Sequence, residues 1–433
     1  MNFSFKLCHD SDIDSRLRDA LSRAFCSLRP RLEALAPTAI ILSGSLARGE
    51  GTAYSNNGAL WLNSDFDALV VFKDRAESSH NTPATKKLAE DIAKHLERQN
   101  IFCRVEFGII RLDSFLKFQP AIGVYELKTM GKAIWGDESV LSLIRPFSTH
   151  DIPKWDAFEM MNNRLIELLI AFQGILNERE CDVQRQEAAA YSLLKMYIDM
   201  ATAILVFQGK YEPTYEARAR RFKEVTHGLK DTPFYPYLPE LTDMVLRCTD
   251  FKLHQRSSTM DFFAQKGYDL SCSNQLLSEW RRLSMHVKPV WMWMANDIAG
   301  GNYTEDASVL VKLILKKETL YKWLKGWAKL CLGLKRENRL GELQYMRLLS
   351  GLALGSPETN IRCSGALLYL YMHKFIETGT KDMEILYYVK RGLPYLSSNS
   401  SDKVGPELLI RELEFNYKKF VRLDYSLKPP CSS

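Results

Sequence analysis

The sequence predicts an α+β protein in which strands and helices share the first 150 residues and the rest is helical. Two observations carry this. Apolar runs at Ile40–Leu42, Phe66–Phe72 and Ile101–Leu112 are short, bounded by turn residues, and separated by helix-patterned stretches. Beyond residue 150, apolar residues recur at steps of three and four, the period of a helix with one face in a core. Phe158, Met161, Leu165, Leu168, Phe172 and Ile175 form one such stripe, and Tyr191, Leu194, Ile198, Ala201 and Leu205 another. The 146–155 piece, PFSTHDIPKW, holds two prolines and marks the boundary.

Taken in order, residues 11–35 read as one amphipathic helix on Ile13, Leu17, Leu21, Phe25 and Leu28, ended by Pro37. The Ile40–Leu42 strand runs into Gly44-Ser45 and a helix-compatible LAR. The Phe66–Phe72 strand follows, entered by Asp65 and carrying Asp67. A helix over Thr85–Gln99 presents Leu88, Ile92 and Leu96 on one face. The Ile101–Leu112 strand carries Glu106, and residues 114–136 read as a helix and a short strand closing on Gly136. Further helical patterns cover 214–228, 274–298, 306–335, 340–353, 361–377 and 405–424. The tail from Lys428 is expected to fray.

Composition bounds the class. A chain of 433 residues exceeds one ordinary domain. With 46% apolar and 25% charged residues it can bury a core, and a net charge of +6 permits an anionic partner without demanding one. The nine cysteines are scattered, with no CxxC pair, which argues against a disulfide frame or a zinc site and for a reducing, cytoplasmic setting. No leader pattern opens the chain, and no apolar run reaches the ~18 residues of a membrane span. The eight histidines lack metal-ligand spacing; no GxSxG, Walker-type or GxGxxG sequence is present.

The chemistry concentrates between Thr38 and Asp67. On a strand, residues two apart share a face, so Asp65 and Asp67 project together. They lie beside the Gly44-Ser45 turn, whose backbone N–H groups are free to face an anion. Two carboxylates held that close repel unless a cation lies between them, and oxygen ligands beside a phosphate-binding turn suit Mg²⁺. Glu106, in RVEFG among apolar neighbours, is the third carboxylate, expensive to bury unpartnered. Two Mg²⁺ ions held by Asp65, Asp67 and Glu106 would relieve that cost and brace an in-line phosphoryl displacement. The plainer reading makes Asp65-Phe66-Asp67 a strand-entry cap and pairs Glu106 with Arg104.

Gly44-Ser45, then Asp65-x-Asp67 on the next strand, then Glu106, resemble the nucleotidyltransferase superfamily of DNA polymerase β. GSLARGE followed by SDFD is similar in particular to the kanamycin-type and minimal nucleotidyltransferases. The resemblance covers about residues 36–136, with a weaker echo through Tyr215. It implies a small mixed β-sheet flanked by helices, then a helical domain walling the nucleotide cleft. It implies that Ser45 contacts the β- and γ-phosphates, that Arg48 assists them, and that a lysine from the helical domain reaches the triphosphate. Residues 46–64 make nineteen positions between Ser45 and Asp65, longer than the family's usual gap. The extra YSNNGALWLN, with Trp61, is expected to form a hairpin or loop over the site that shapes acceptor entry.

In the helical part, Tyr191, Lys195 and Asp199 lie four apart on one ridge, and Lys195 is the candidate phosphate contact. Arg218, Arg220 and Arg221 read as a surface charge run or a phosphate clamp. The helix around Glu318–Arg336 sets Trp323 and Trp327 among Lys322, Lys325 and Lys329. It reads as tryptophans packed inward with lysines outside, or as a surface for a membrane, RNA or an acidic partner.

The expectation is a Mg²⁺-dependent nucleotidyltransferase that transfers a nucleoside monophosphate, AMP from ATP, to a hydroxyl and releases pyrophosphate. The acceptor is a small molecule, a protein side chain or an RNA end. Its expected parts are a catalytic domain at 1–150, a helical domain at 151–300 completing the cleft, and a helical region at 301–433. Two other readings stand beside it: a signalling synthase that oligomerises nucleotides from NTPs alone, and a catalytically silent nucleotide-binding module.

Overall fold

The computed structural model describes residues 3–56, 58–176, 182–255, 258–263, 272–301, 303–336, 355–393 and 406–421. The chain is α+β, with two small sheets and a predominance of helix. It divides into two compact units. The first holds Met1–Asp156, Gln208–Glu224 and Val245–Ser258; the second holds Ala157–Phe207, Val225–Met244 and Thr259–Ser433. The first unit thus ends six residues beyond the sequence boundary and also recruits two later segments. What remains of 151–300 after those segments is not divided from 301–433.

The first unit is built on strands β1 (Ala39–Leu42), β2 (Ala53–Asn56), β3 (Ala59–Leu62), β4 (Phe66–Phe72), β5 (Ile101–Phe102), β6 (Val105–Arg111) and β7 (Lys132–Gly136). The larger sheet has the order β6-β4-β1-β7, with β1 antiparallel to both its neighbours and β4 parallel to β6. The smaller has the order β2-β3-β5. Phe66, Ala68 and Val70 turn one face of β4 into a core with Leu17, Leu21 and Phe25 of the helix Ser11–Ser27 and Leu88, Ile92 and Leu96 of the helix Thr82–Glu97. A second cluster packs Ile41 and Val71 against Phe115, Leu127 and Val140 on the other face. Gly136 closes β7 at φ 77°, where a Cβ would meet the Thr38 carbonyl oxygen at 2.2 Å, so only glycine fits.

Three elements differ from the sequence reading. The 11–35 helix is two, Ser11–Ser27 and Arg29–Leu35, broken at Leu28, with Pro30 in the second helix's first turn, where its missing N–H costs nothing. The 101–112 strand is also two. β5 follows β3 (Leu60 beside Ile101) while β6 follows β4 (Phe66 beside Val105), so the chain bends at Cys103-Arg104 where its partner bends at Asn63–Asp65. The 306–335 pattern is likewise two helices, Ala307–Lys317 and Leu320–Arg336. The inserted YSNNGALWLN is a hairpin, as expected: β2 and β3 pair antiparallel, Leu60 is buried, and Trp61 stacks on Phe102 with ring centroids 4.0 Å apart.

The second unit is helical. The helix Val183–Phe207 is long and apolar enough by composition to cross a membrane. With 78% of its apolar stretch buried it is a core helix, and it is the one such candidate among the described residues. Trp291 of the helix Cys272–Ala299 donates to buried Asn162 at 2.8 Å, and Trp280 of the same helix packs against buried Tyr369. The helices expected at 361–377 and 405–424 appear as Pro357–Thr378 and Pro406–Asn416. The helical pattern at 340–353 and the tail from Lys428 lie outside the described residues.

Candidate active site

β1 delivers the chain to Gly44, which leaves the strand at φ 68° and opens the single helical turn Gly44–Ala47. A Cβ on Gly44 would lie 3.0 Å from Asp67 Oδ2. The glycine is therefore required twice, by its backbone angle and by the carboxylate against it. Ser43 fixes this contact, donating from its N–H (2.8 Å) and its hydroxyl (3.2 Å) to the Asp67 carbonyl. The first N–H groups of a helical turn have no acceptor inside it, so the Gly44–Ser45 end stays competent for an anion.

Asp65 precedes β4 and Asp67 is its second residue. Burial alternates from Ser64 to Val70, which sets Asp65 and Asp67 on the half-exposed face while Phe66 and Ala68 enter the core. Glu106 stands beside Asp67 in the parallel β4–β6 register. The three predicted carboxylates are thus brought together. Burial, then Asp65, then Glu106 push the Asp67 carboxyl up to about 6, against the pull of Arg104 and Arg48.

Glu106 departs from the expectation of burial. Its side chain is 46% exposed and ion-pairs with Arg104, because β6 lies at the edge of the sheet and turns this position outward. Among the described residues, no three His, Cys, Asp or Glu side chains stand ready to hold a metal ion. Asp65 and Asp67 offer the hard oxygen donors that Mg²⁺ takes, and burial followed by the charges of Asp65 and Glu106 makes the Asp67 anion costly. The donor set fits a divalent cation, with Glu106 joining only by exchanging Arg104.

Arg48 caps the turn at its far end but points into the protein. Its side chain is 5% exposed and pairs with Glu50 (3.1 Å) and Glu126 (2.7 Å). Burial disfavours its charge, yet Glu126, Tyr215 and Glu50 outweigh that and hold it firmly protonated. Glu126, on the helix Ile122–Met130, also accepts from the Tyr211 hydroxyl and lies 3.5 Å from Arg218. Arg48, Arg218 and Lys252 stand 4.8, 4.5 and 5.3 Å from the centre of the Tyr215 ring. Glu50 accepts from the Glu216 N–H at 3.1 Å, tying the start of the helix Tyr215–Val225 to the residue after the turn.

Arg218 is thus a buried member of the first unit, not part of a surface run, whereas Arg221 pairs outward with Glu212 and Glu224. Glu126 and Tyr211 were not singled out from the sequence. A glutamate in a short helix carries no periodic signal, and its partners lie more than seventy residues away. Lys195 belongs to the second unit, half-buried on Val183–Phe207, with its ammonium 4.8 Å from the Tyr191 ring centre. Asp199, one turn on, accepts from Arg164 at 2.6 Å. No family model, curated protein or solved structure matches this chain.

Proposed function

We propose that the chain is a Mg²⁺-dependent nucleotidyltransferase, moving a nucleoside monophosphate, AMP from ATP, onto a hydroxyl acceptor with release of pyrophosphate. The observation that carries this is Asp67, lying against the Gly44–Ser45 turn with Asp65 and Glu106 crowded onto it: burial first, then those two charges, lift its carboxyl to about 6. A half-buried carboxylate crowded by a second one beside an anion-binding turn is an arrangement that a cation would relieve. The antiparallel β1–β4 and parallel β4–β6 pairing, with the turn after the first strand and the carboxylates on the second, supports the same reading.

Asp65 and Asp67 would hold Mg²⁺, which when bound supplies charge neutralisation at the transferred phosphoryl group. The Gly44–Ser45 N–H groups and the Ser45 hydroxyl bind the β- and γ-phosphates and fix the α-phosphorus for in-line attack. Glu106, once released from Arg104, accepts the proton of the acceptor hydroxyl at a carboxylate oxygen. The hydroxyl oxygen bonds to the α-phosphorus as the bond to the bridging oxygen breaks, and pyrophosphate departs. Arg48, spent on Glu50 and Glu126, holds the turn in place rather than touching phosphate.

The test is incubation of the purified chain with labelled NTPs and Mg²⁺, with and without cell extract. Label entering an extract-dependent product supports the proposal, and product from NTPs alone turns it into an oligomerising synthase. The Arg104–Glu106 ion pair favours one other reading, a nucleotide-binding module without turnover, for which NTP would bind and no label would move. Asp67→Asn should cut incorporation by roughly three orders of magnitude or more, since phosphoryl charge stabilisation is lost. Turnover near wild type in that variant would sink the assignment.

A further inference from the structure

The helix Leu320–Arg336 presents two different apolar faces. At 100° per residue, Trp323, Gly326, Trp327 and Leu330 fall on one side, and there Trp327 and Leu330 are buried. Leu320, Tyr321, Leu324, Ala328, Cys331 and Leu332 fall within one adjoining third of the circumference, and every one of them is exposed. Leu320 is 71% exposed, Tyr321 75%, Leu324 52% and Leu332 60%. Single exposed leucines are ordinary, but a contiguous row along four turns marks a contact surface.

Charge tells what kind. The helix carries no carboxylate from Leu320 to Arg336. On its polar side Lys322 and Lys329 are taken up by Glu159 and Glu358, which fixes the helix by its back. Lys325, exposed, borders the apolar row, and Lys316 and Lys317 stand exposed at the end of the preceding helix, Ala307–Lys317. An apolar stripe edged by cations and free of anions matches a bilayer whose headgroups carry negative charge: the leucines enter the acyl boundary and the lysines stay at the phosphate level. An acidic protein would meet the lysines but leave the leucine row wet.

We propose that the Leu320–Arg336 helix docks this protein on an anionic membrane surface, lying in the interface with Leu320, Tyr321, Leu324 and Leu332 inserted. This does not depend on the catalytic reading. It is tested by sedimenting the full chain with vesicles of phosphatidylcholine alone and of phosphatidylcholine mixed with phosphatidylserine. Binding should require phosphatidylserine and weaken as salt is raised. The Leu320→Ser/Leu324→Ser/Leu332→Ser variant should lose about tenfold or more in vesicle affinity. Lys325→Glu should weaken binding by a smaller factor. Because these side chains are exposed, both variants should keep the wild-type circular dichroism and Tm, which separates lost docking from lost fold. Three outcomes overturn the proposal: no binding to either vesicle, equal binding to both, or undiminished binding of the triple serine variant. A concentration-dependent dimer abolished by the serine variant, without vesicle binding, would assign the face to a second copy of this chain instead.

Discussion

Asp67 shows how a crowded, half-buried carboxylate works against the fold. Its carboxyl titrates near 6 in the native state and near 3.8 in an unfolded chain, so the native state holds the proton more tightly. Stability contributed by that proton is full below the unfolded value and is lost as pH rises through about 6. In chelator at neutral pH, Asp67→Asn should therefore be the more stable protein, by on the order of 2–3 kcal/mol, and the gap should close toward pH 4. Thermal melts across that range check it; an Asn variant that melts lower at neutral pH would show Asp67 to be a structural anchor. At this scale the sequence was most legible where chemistry and backbone demand the same residue. Gly44, Asp65 and Asp67 come together as their spacing implies. Glu106 lies on a strand as read and beside Asp67, but not buried, since an edge strand cannot be told from a central one by its own residues.

Among elements, the helix Ile122–Met130 matters beyond its nine residues, because Glu126 gathers Arg48, Tyr211 and Arg218 onto the back of the turn. Removing one partner of a buried charge network leaves the others uncompensated. Glu126→Ala should cost about 3–5 kcal/mol in urea unfolding, and Glu126→Gln, which keeps a hydrogen-bond acceptor, should cost less. If both variants unfold like wild type, the network is surface decoration and Arg48 is free for phosphate. Element boundaries were legible where a proline or glycine punctuates them and illegible at Cys103-Arg104, where the break is dictated by a partner strand forty residues earlier. The hairpin was legible in kind. Its seat on β5, with Leu60 in the core, makes it a structural brace as much as any cover for an acceptor.

For the whole molecule, the proposed nucleotidyltransferase reading sets one expectation on the second unit, a phosphate contact from Lys195, which is half-buried on the helix Val183–Phe207 with its ammonium 4.8 Å from the centre of the Tyr191 ring. A charge-assisted lysine–phosphate bond is worth on the order of 1.5–3 kcal/mol. Lys195→Ala should then raise the NTP concentration needed for half-maximal turnover by roughly ten- to a hundredfold with Tm unchanged, while exposed Lys381→Ala leaves it alone. Equal behaviour of the two variants would confine the donor site to the first unit. Fold class was legible because periodicity is local, whereas the return of 208–224 and 245–258 to the first unit was not, because it depends on contacts that no window of sequence contains.

That division has a consequence in time. The first unit is left at Asp156, rejoined at Gln208, left at Glu224, rejoined at Val245 and finally left at Ser258. Arg48 and Glu126 are synthesised early, yet Tyr211, Tyr215, Arg218 and Lys252, which surround them, come last. A ribosome adding roughly 5–20 residues per second needs about 5–20 s to pass from residue 156 to residue 258. For that interval Arg48, Glu50 and Glu126 have one another but not Tyr211, Tyr215, Arg218 or Lys252, and the back of the turn is open to water. The network behind the Gly44–Ala47 turn is completed by the chain's return, so it cannot close before the helical segments between have been made.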